Sequence, residues 1–477
     1  MGGGWHRDCG TMEERSEAME AVVVGGGPAG LAAALRLALC GKRVGLWERH
    51  DRLGGMNSWY LRKGITLDTG LHALTNLAPP QESAAPLNLL LRQLRIRRPE
   101  LRLTPQVRSR ISFPSGELLL TNDFPALVGQ VQRLFPQEAQ GFLALAEEMR
   151  RLGYGAAPTP DRSANALLER HIASPLLRDM LRLPVFFYGN PTPEDMEATA
   201  FATMFRSIFL EGLGRPMGGM RPFLETLETH LRRENVALHL GEGVRKILLD
   251  KQGRTRGILT DHGTTVEAPL VVSTIGAWET AALCPPGTCS TLAQCPPGEI
   301  CFLEAIFTLP QPPAKYGFQD AVLFLCLQDE FSFAPTNHGE ANALLVCAPG
   351  NYQGEDTSPE ARLLRVSTLT EKTLWFSSSP EEYARQKALH VQALRKSLAT
   401  AYPRMAQEAL LLDAFTPKTL HHFTGHANGA IYGSPVKVPL DAPMPQGLRL
   451  AGTDQGLLGI VGAMLSGVLA ANALARP

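Results

Sequence analysis

The chain has 477 residues, with 46 Lys or Arg against 46 Asp or Glu, so its formal net charge at neutral pH is zero. This balance lacks the basic excess of nucleic-acid-binding proteins, and we expect no nucleic-acid partner. The 44% hydrophobic and 19% charged residues are typical of a globular protein, and the length predicts at least two lobes.

Residues 1–18 are predicted to be a disordered N-terminal extension. They are polar and lack the apolar segment of a secretory signal, and His6 stands where a myristoylation signal requires Ser or Thr. Met19 directly precedes the first apolar strand and is an alternative start to Met1. These features predict a cytoplasmic protein.

A β-branched strand, a G-x-G-x-x-G motif, a helix and a second strand follow one another between residues 21 and 48. Gly25 permits the tight turn, Gly27 allows the backbone to approach a pyrophosphate, and Gly30 allows the helix to pack closely on the strand. Glu48 lies where an acid binds a ribose diol. The predicted dinucleotide contacts are therefore Gly25, Gly27, Pro28, Ala29, Gly30 and Glu48.

Two further motifs follow, Arg52-Leu53-Gly54-Gly55 and Asp68-Thr69-Gly70-Leu71-His72. With these, the sequence resembles the flavoprotein superfamily of phytoene desaturases, carotenoid isomerases and retinol saturases and, more distantly, amine oxidases. The resemblance implies FAD as cofactor. Met56 stands where the family commonly has Arg. The implied contacts in this region are Arg49, Gly54, Gly55, Met56, Gly70 and Leu71.

The middle and the end of the chain follow the same family pattern. A helix over residues 221–234, a strand over 236–240 and a meander over 244–267 resemble the part of the fold that clamps the adenine, and by position Val244 makes that contact. Near the C-terminus an Ala-Gly-Thr-Asp motif precedes a glycine-rich stretch. The implied contacts there are Gly452, Asp454, Gly459, Ile460 and Val461, the last replacing a proline common in carotenoid enzymes.

The stretch from Gly456 to Ala475 carries no charge and has the length of a membrane span. Its repeated glycines, together with Ser466 and Asn472, favour a buried helix packed against FAD. We therefore predict burial in the protein, not in lipid.

The fold class predicted is α/β: a discontinuous Rossmann-type FAD-binding domain of the glutathione reductase type, with a second, mixed α+β substrate domain. The FAD-binding domain takes residues 19–80, 215–285 and 425–477, and the substrate domain takes 81–214 and 286–424. Helices are predicted over 164–171, 176–183, 198–212 and 380–400, and strands over 299–309 and 343–347, from the period of their apolar residues.

His72 is the predicted catalytic side chain, because it follows the motif that runs beside the flavin in the family; a purely structural histidine is the alternative. The resemblance points to flavin N5 as the main reactive centre. A hydrophobic substrate needs an apolar tunnel, and the side chains that could line it, or could simply be core, are Phe186, Phe187, Tyr188, Met204, Phe205, Ile208 and Phe209.

No metal site is expected. The cluster of Cys284, Cys289, Cys295 and Cys301 contains no Cys-x-x-Cys pair and is interpreted as free thiols in a proline-rich region, and a histidine group over 421–426 lacks a further ligand at suitable spacing. Because no second G-x-G-x-x-G motif occurs, the expected electron acceptor is oxygen or a quinone, not a nicotinamide bound in its own domain.

Arg92, Arg95, Arg97, Arg98 and Arg102 form the only dense basic run. It is interpreted either as a solvated helix face or as a patch for peripheral membrane contact with anionic lipid.

The resemblance implies an FAD-dependent oxidoreductase that transfers a hydride between a hydrophobic isoprenoid or polyene C–H bond and flavin N5, by desaturation, saturation or isomerisation. Two alternatives stay open: an amine-oxidase-type enzyme that oxidises a C–N bond, and a flavin-binding protein without turnover.

Overall fold

The computed structural model describes residues 17–152, 163–335, 341–352 and 359–475. Most of the predicted extension, residues 1–16, lies outside the described residues. Glu17 and Ala18 were assigned to the same extension, but they form a short strand that pairs in parallel with Val266 and Glu267. The fold therefore begins before Met19.

The strands of the described residues are β1 (Glu17–Ala18), β2 (Ala21–Val24), β3 (Val44–Glu48), β4 (Trp59–Arg62), β5 (Ile65–Asp68), β6 (Leu103–Pro105), β7 (Ser109–Phe113), β8 (Gly116–Leu120), β9 (Gly214–Pro216), β10 (Ala237–Leu240), β11 (Val244–Leu249), β12 (Thr255–Thr260), β13 (Thr265–Glu267), β14 (Leu270–Ser273), β15 (Phe302–Thr308), β16 (Val322–Cys326), β17 (Ala343–Cys347), β18 (Leu363–Leu369), β19 (Leu410–Phe415) and β20 (Leu448–Leu450).

The α-helices are α1 (Pro28–Leu39), α2 (Pro86–Leu94), α3 (Phe124–Leu134), α4 (Ala139–Arg151), α5 (Ala164–His171), α6 (Pro175–Gly189), α7 (Ala198–Phe205), α8 (Met220–Arg233), α9 (Ala277–Leu283), α10 (Ser290–Ala293), α11 (Lys372–Phe376), α12 (Pro380–Ala401), α13 (Pro403–Glu408), α14 (Pro417–Thr424) and α15 (Gly459–Ala475). The predicted helix over residues 198–212 is α-helical only to Phe205 and continues as a π-helix over Arg206–Leu210.

A five-stranded parallel sheet in the order β10-β3-β2-β14-β20 forms the centre of the nucleotide-binding domain. Every residue of β2 and of β3 is buried, as expected for strands covered on both faces. The predicted meander is confirmed as β11, β12 and β13, which with β1 make a separate four-stranded sheet.

Helix α15 packs against α1 at very short range. A Cβ added at Gly467 would lie 2.1 Å from the carbonyl oxygen of Ala29, so only a glycine permits this approach. Most of α15 is buried, which fits the prediction for the uncharged C-terminal stretch. No helix of the described residues is both long enough and apolar enough to span a membrane.

The second lobe is built on a seven-stranded mixed sheet in the order β19-β15-β18-β17-β16-β7-β8. Helices α3 to α7 contribute to an apolar core with β7, β8, β16 and β17, rich in phenylalanine. Because β7 and β8 come from the first inserted segment and the other strands from the second, the two segments form one lobe.

The observed packing extends the nucleotide-binding domain beyond its predicted limits. Leu87, Leu90 and Leu94 of α2 pack into the same cluster as α1 and α15, although residues 81–214 were assigned to the substrate domain. Cys289 and Cys295 likewise pack with Val22 and Val24 of β2, beyond the predicted boundary at residue 285.

Candidate functional site

The glycine motif places the N-terminus of α1 at the end of β2. A Cβ at Gly30 would lie 1.9 Å from the carbonyl oxygen of Gly25, which fits the predicted close packing of helix on strand. Gly27, by contrast, has no neighbouring atom within 4 Å of the position of an added Cβ. The one glycine assigned to the pyrophosphate therefore faces open space, whereas Gly25 and Gly30 are packed.

Glu48 ends β3 with a buried carboxylate beside this opening. One oxygen accepts the N–H of Gly26 at 2.7 Å and the other accepts the N–H of His50 at 2.8 Å. Each carboxylate oxygen has two lone pairs, so Glu48 keeps acceptor capacity for a diol. Its position agrees with the predicted role.

Gly54, Gly55 and Met56 lie against the same glycine motif. The N–H of Gly54 donates to Gly26 at 2.8 Å, and an added Cβ at Gly55 would lie 3.2 Å from the Cα of Gly27. The carbonyl of Met56 accepts the hydroxyl of Thr69 at 2.7 Å, which brings the segment 68–72 alongside. The structure thus brings the first and second predicted motifs together.

Asp454 lies at the end of the sheet, next to β20. Its carboxylate accepts the N–H of Ala277, at the start of α9, at 2.6 Å and the N–H of Ser434 at 2.7 Å. Burial lowers the pKa of nearby Lys437, and the charge of Asp454, 3.8 Å away, opposes this. The buried Oε1 of the adjacent Gln455 has no hydrogen-bond partner in the protein.

The remaining predicted contacts lie on other elements of the chain. Gly459, Ile460 and Val461 form the first turn of α15, and Val244 begins β11. The guanidinium of Arg49 reaches the carbonyl of His422 at 3.1 Å. The described residues contain no group of three or more His, Cys, Asp or Glu placed to hold a metal ion.

His72 sits in a buried network of charges that sequence reasoning missed. Its Nε2 lies 2.8 Å from Oε2 of Glu304 and 3.0 Å from the hydroxyl of Ser367. The Nε of Arg365 donates to the other oxygen of Glu304 at 2.8 Å. Burial lowers the pKa of His72, and Glu304 opposes this effect. Burial alone would raise the pKa of Glu304, but Arg365 and His72 outweigh it and lower the pKa to about 2.

These pKa directions define the state of the histidine. Glu304 is ionised and accepts, so the His72 nitrogen facing it carries the proton and Nδ1 holds the lone pair. The carbonyl of His72 also accepts the hydroxyl of Tyr352 at 3.0 Å. His72 is held firmly in one orientation.

The same network fixes the rest of the 68–72 segment. Arg365 donates to the carbonyls of Leu71 and Thr69, each at 3.0 Å, and Arg215 forms a buried ion pair with Asp68. Asp68 also accepts the N–H of Met220 at 2.8 Å, at the start of α8. Both lobes therefore hold this segment.

The sequence contains a signal for two residues of the network, Glu304 and Arg365. Glu304 stands within Phe-Leu-Glu-Ala-Ile-Phe-Thr and Arg365 within Leu-Leu-Arg-Val-Ser-Thr-Leu, each a charge inside an apolar strand. A charge in a buried strand requires a partner. Which partner it finds depends on strand order, which the sequence alone does not supply.

The seven apolar and aromatic side chains proposed as tunnel or core divide into two groups. Six are at most 2% exposed and are ordinary core: Phe186, Phe187, Met204, Phe205, Ile208 and Phe209. Tyr188 is partly exposed although it packs against the same cluster, and its hydroxyl has no partner in the protein. Tyr432 is also only partly buried, and its hydroxyl donates to the carbonyl of Phe187.

The chain matches the family model of flavin-containing amine oxidoreductases over residues 28–475. The chain belongs to this family. The match runs from the first residue of α1 to the last residue of α15 and includes the final three residues of the glycine motif, Pro28, Ala29 and Gly30.

Relatives with described activities align over most of the chain. It is 23% identical to the all-trans-retinol 13,14-reductase of Danio rerio, covering 94% of this chain and 84% of the relative. It is 21% identical to the chloroplastic prolycopene isomerase of Arabidopsis thaliana, covering 94% and 78%. A phytoene desaturase of Rhodobacter capsulatus is 26% identical over 56% of this chain and 55% of its own length.

Solved structures show the same fold. An oxidoreductase from Methanosarcina mazei superposes with a TM-score of 0.66 at 19% identity, covering 94% of this chain and 98% of the other. A putrescine oxidase gives 0.65 at 19% identity, covering 96% and 99%. The predicted Rossmann-type fold class is confirmed.

This member of the family is an FAD-dependent oxidoreductase. The structure fits the cofactor independently: Gly27 opens onto free space at a helix N-terminus, where phosphates bind, and the buried Gln455 oxygen lacks a partner. The assignment of individual contacts to FAD stays a prediction.

Proposed function

We propose that this oxidoreductase acts on a hydrophobic isoprenoid or polyene by hydride transfer at a C–H bond. Bound FAD would supply the chemistry, since flavin N5 can accept or return a hydride. The chain itself would supply a dry, apolar lobe, a fixed histidine and a rigid loop. The reductase, isomerase and desaturase relatives support this class of substrate.

The observation that carries the proposal is the state of the buried carboxylates. An amine substrate enters as a cation and needs an anionic or aromatic partner. Among the described residues, Asp68, Asp179, Glu211, Glu304, Asp320 and Asp454 each lie within 4 Å of a Lys or Arg nitrogen, and Glu48 accepts two backbone N–H groups. Six of these carboxylates already have a cationic partner and the seventh, Glu48, is held by hydrogen bonds, so the buried carboxylates favour an uncharged substrate over an ammonium ion.

His72 would position or exchange a proton at its Nδ1. Its Nε2–H is directed at Glu304, which fixes the ring and leaves Nδ1 as the basic nitrogen. A His72→Gln variant would lower turnover while the amount of bound flavin stays unchanged. Loss of flavin together with activity would instead assign His72 a structural role.

The experiment that tests the function is expression in a carotenoid-producing host, with pigment analysis and identification of any copurifying lipid. Formation of a more saturated, less saturated or isomerised pigment, absent with a Gly27→Ala variant, is expected. Purified protein is then given polyenes and, separately, diamines under oxygen. Peroxide released with an amine alone would overturn the proposal in favour of C–N oxidation, and flavin binding without any turnover would favour a non-catalytic protein.

Oxygen or a quinone is the electron acceptor we propose. Reduced protein mixed with oxygen, with a soluble quinone or with neither would identify it from the rate of flavin reoxidation. Stoichiometric bleaching of bound FAD by NADPH would contradict this part of the proposal.

We also propose peripheral membrane contact through the basic run. Arg92, Arg95, Arg97 and Arg98 line one cavity of about 410 Å³ with Ile96 and Leu91. Arg97 pairs with Glu100 at 3.0 Å, and Arg98 donates to Asn88 at 2.9 Å. The cavity thus combines an apolar base with a rim of positive charge, which suits an anionic headgroup.

Co-sedimentation with vesicles containing phosphatidylserine tests this contact. An Arg95/Arg97/Arg98 triple alanine variant should lose binding, whereas a charge-matched Arg133/Arg150/Arg151 triple alanine variant, altered on an exposed face of the substrate lobe, should retain it. Equal binding by both variants would favour the solvated-face interpretation.

A further inference from the structure

Two thiols of the nucleotide-binding domain lie in direct contact. The sulfurs of Cys284 and Cys289 are 2.7 Å apart and share a hydrogen bond. The two side chains are 8% and 6% exposed, whereas the four residues between them, 285–288, are exposed. The pair is thus packed against the domain at the base of a surface loop.

The loop brings the sulfurs together by its own backbone. Cys284 ends α9 in an extended conformation and Cys289 precedes α10. Between them the N–H and the hydroxyl of Thr288 both donate to the carbonyl of Pro285, at 3.2 and 2.6 Å, and Gly287 has φ +79°. This turn, stiffened by two prolines, holds the thiols close without depending on the sulfur contact itself.

The neighbouring cysteines differ in their surroundings. Cys295 donates to the carbonyl of Thr291 at 3.7 Å, and Cys301 donates to that of Asn428 at 3.2 Å. Burial raises the pKa of both thiols. In contrast, the Cys289 thiol shares its hydrogen bond with the Cys284 thiol, and this contact lowers the pKa of Cys289. Cys289 is therefore the thiol with the greater thiolate character, and Cys284 stands beside it.

We propose that Cys284 and Cys289 are a redox-active pair that forms a reversible intramolecular disulfide with hydrogen peroxide as oxidant. The Cys289 thiolate attacks one peroxide oxygen, the O–O bond breaks, and hydroxide leaves to take up a proton as water. Cys284 then attacks the resulting sulfenic sulfur, forming the S–S bond and releasing the second oxygen as water. The two thiols lose two electrons and two protons, and one peroxide becomes two waters. A dithiol reverses the reaction by exchange.

The bridge would close a six-residue ring at the C-terminal end of α9. The N-terminal end of the same helix donates the Ala277 N–H to Asp454. Oxidation would therefore stiffen an element that borders the predicted cofactor site, while leaving the residues of that site unmodified.

Differential alkylation of the whole protein tests the proposal. The protein is first reduced and then treated with one equivalent of hydrogen peroxide. It is denatured in the presence of a first alkylating reagent, which labels the free thiols. The disulfides are then reduced, and the thiols so released are labelled with a second reagent. Cleavage after glutamate yields the peptide 280–299, which contains Cys284, Cys289 and Cys295. We expect the second label on Cys284 and Cys289 and the first label on Cys295, which serves as the internal control.

Cysteine variants distinguish formation of a Cys284–Cys289 disulfide from oxidation of whichever thiol is accessible to peroxide. In Cys289→Ser, Cys284 should carry the first label, and in Cys295→Ser the pair should oxidise as in the wild type. The thermal unfolding midpoint of the wild-type protein should be higher after oxidation than after reduction. The Cys284→Ser variant should show no such difference. First label on both Cys284 and Cys289 after peroxide, or overoxidation of one sulfur without a bridge, would overturn the proposal.

Discussion

The imidazole of His72 and the carboxylate of Glu304 meet at 2.8 Å across 232 residues of sequence, and this contact ties the predicted flavin loop to the sheet of the other lobe. Arg365 completes the arrangement from the neighbouring strand β18, which pairs with β15. The loop is thus positioned by residues that do not belong to the nucleotide-binding motifs.

A Glu304→Gln variant should unfold more easily than the wild type. It leaves the fully buried Arg365 guanidinium without its counter-ion, which typically costs about 3–5 kcal/mol of the free energy of unfolding. Urea denaturation measures the change. Glu228→Gln, which breaks an exposed pair with Arg232 on α8, is the control and should cost less than about 1 kcal/mol. Equal losses in the two variants would contradict the assigned role of the network.

Stability should fall on acidification in two steps. Because the pKa of His72 is lowered in the folded protein, the unfolded chain takes up a proton first as the pH drops below about 6.5. The contribution of His72 to the stability of the folded protein is therefore complete above about pH 6.5 and is lost as the pH falls toward the lowered pKa of the folded state. The contribution of Glu304 is complete above about 4.5 and declines toward its folded pKa of about 2.

The first step can be assigned by mutation. His72→Gln should flatten the dependence of the urea midpoint on pH below about 6.5. His262→Gln, at a largely exposed position outside the network, is the comparison variant. Wild-type dependence retained in His72→Gln would show that other histidines cause it.

Two glycine substitutions should separate folding from cofactor binding. Gly27→Ala meets open space and an extended backbone, so it should cost no more than about 1 kcal/mol of stability yet reduce bound FAD strongly. Gly30→Ala would place a methyl group 1.9 Å from the Gly25 oxygen and should cost at least about 1–3 kcal/mol. Unfolding of the apoprotein and flavin absorbance after gel filtration give the two readouts. If the Gly27→Ala variant kept its full flavin content, FAD would not bind at this glycine loop.

Asp454→Asn should expose the dependence of Lys437 on its counter-ion. The pKa of Lys437 is already lowered by burial and would fall further, so the unfolded chain would hold more protons up to about pH 10.4. The variant should therefore gain stability as the pH rises above neutrality, more steeply than the wild type. A second change, Lys437→Met, should remove the added pH dependence; if it persists, another group is responsible.

The nucleotide-binding half of the molecule could be read from sequence because its signals are local. Strand, glycines, helix and acid lie within 28 residues, and the meander is set by short turns at Gly253 and Gly263. The motif around Asp454 was placed by resemblance to the family.

The charged network could not be found in this way. His72, Glu304 and Arg365 lie far apart in sequence and meet only through the order of strands in the seven-stranded sheet. The packing of α2 and of the segment around Cys289 on the nucleotide-binding domain could not be foreseen for a related reason. Helix α2 and the segment around Cys289 are amphipathic or apolar, and only tertiary packing decides which lobe covers their apolar side chains.

The packing of Gly467 on Ala29 has a consequence for biosynthesis. The glycine loop is translated early, whereas β20 and α15, which border the same site, are translated last. While the ribosome still holds this segment, the early βαβ unit lacks its covering helix α15, and β14 lacks its neighbour β20. We therefore expect FAD to be incorporated only after α15 has left the ribosome and packed on α1.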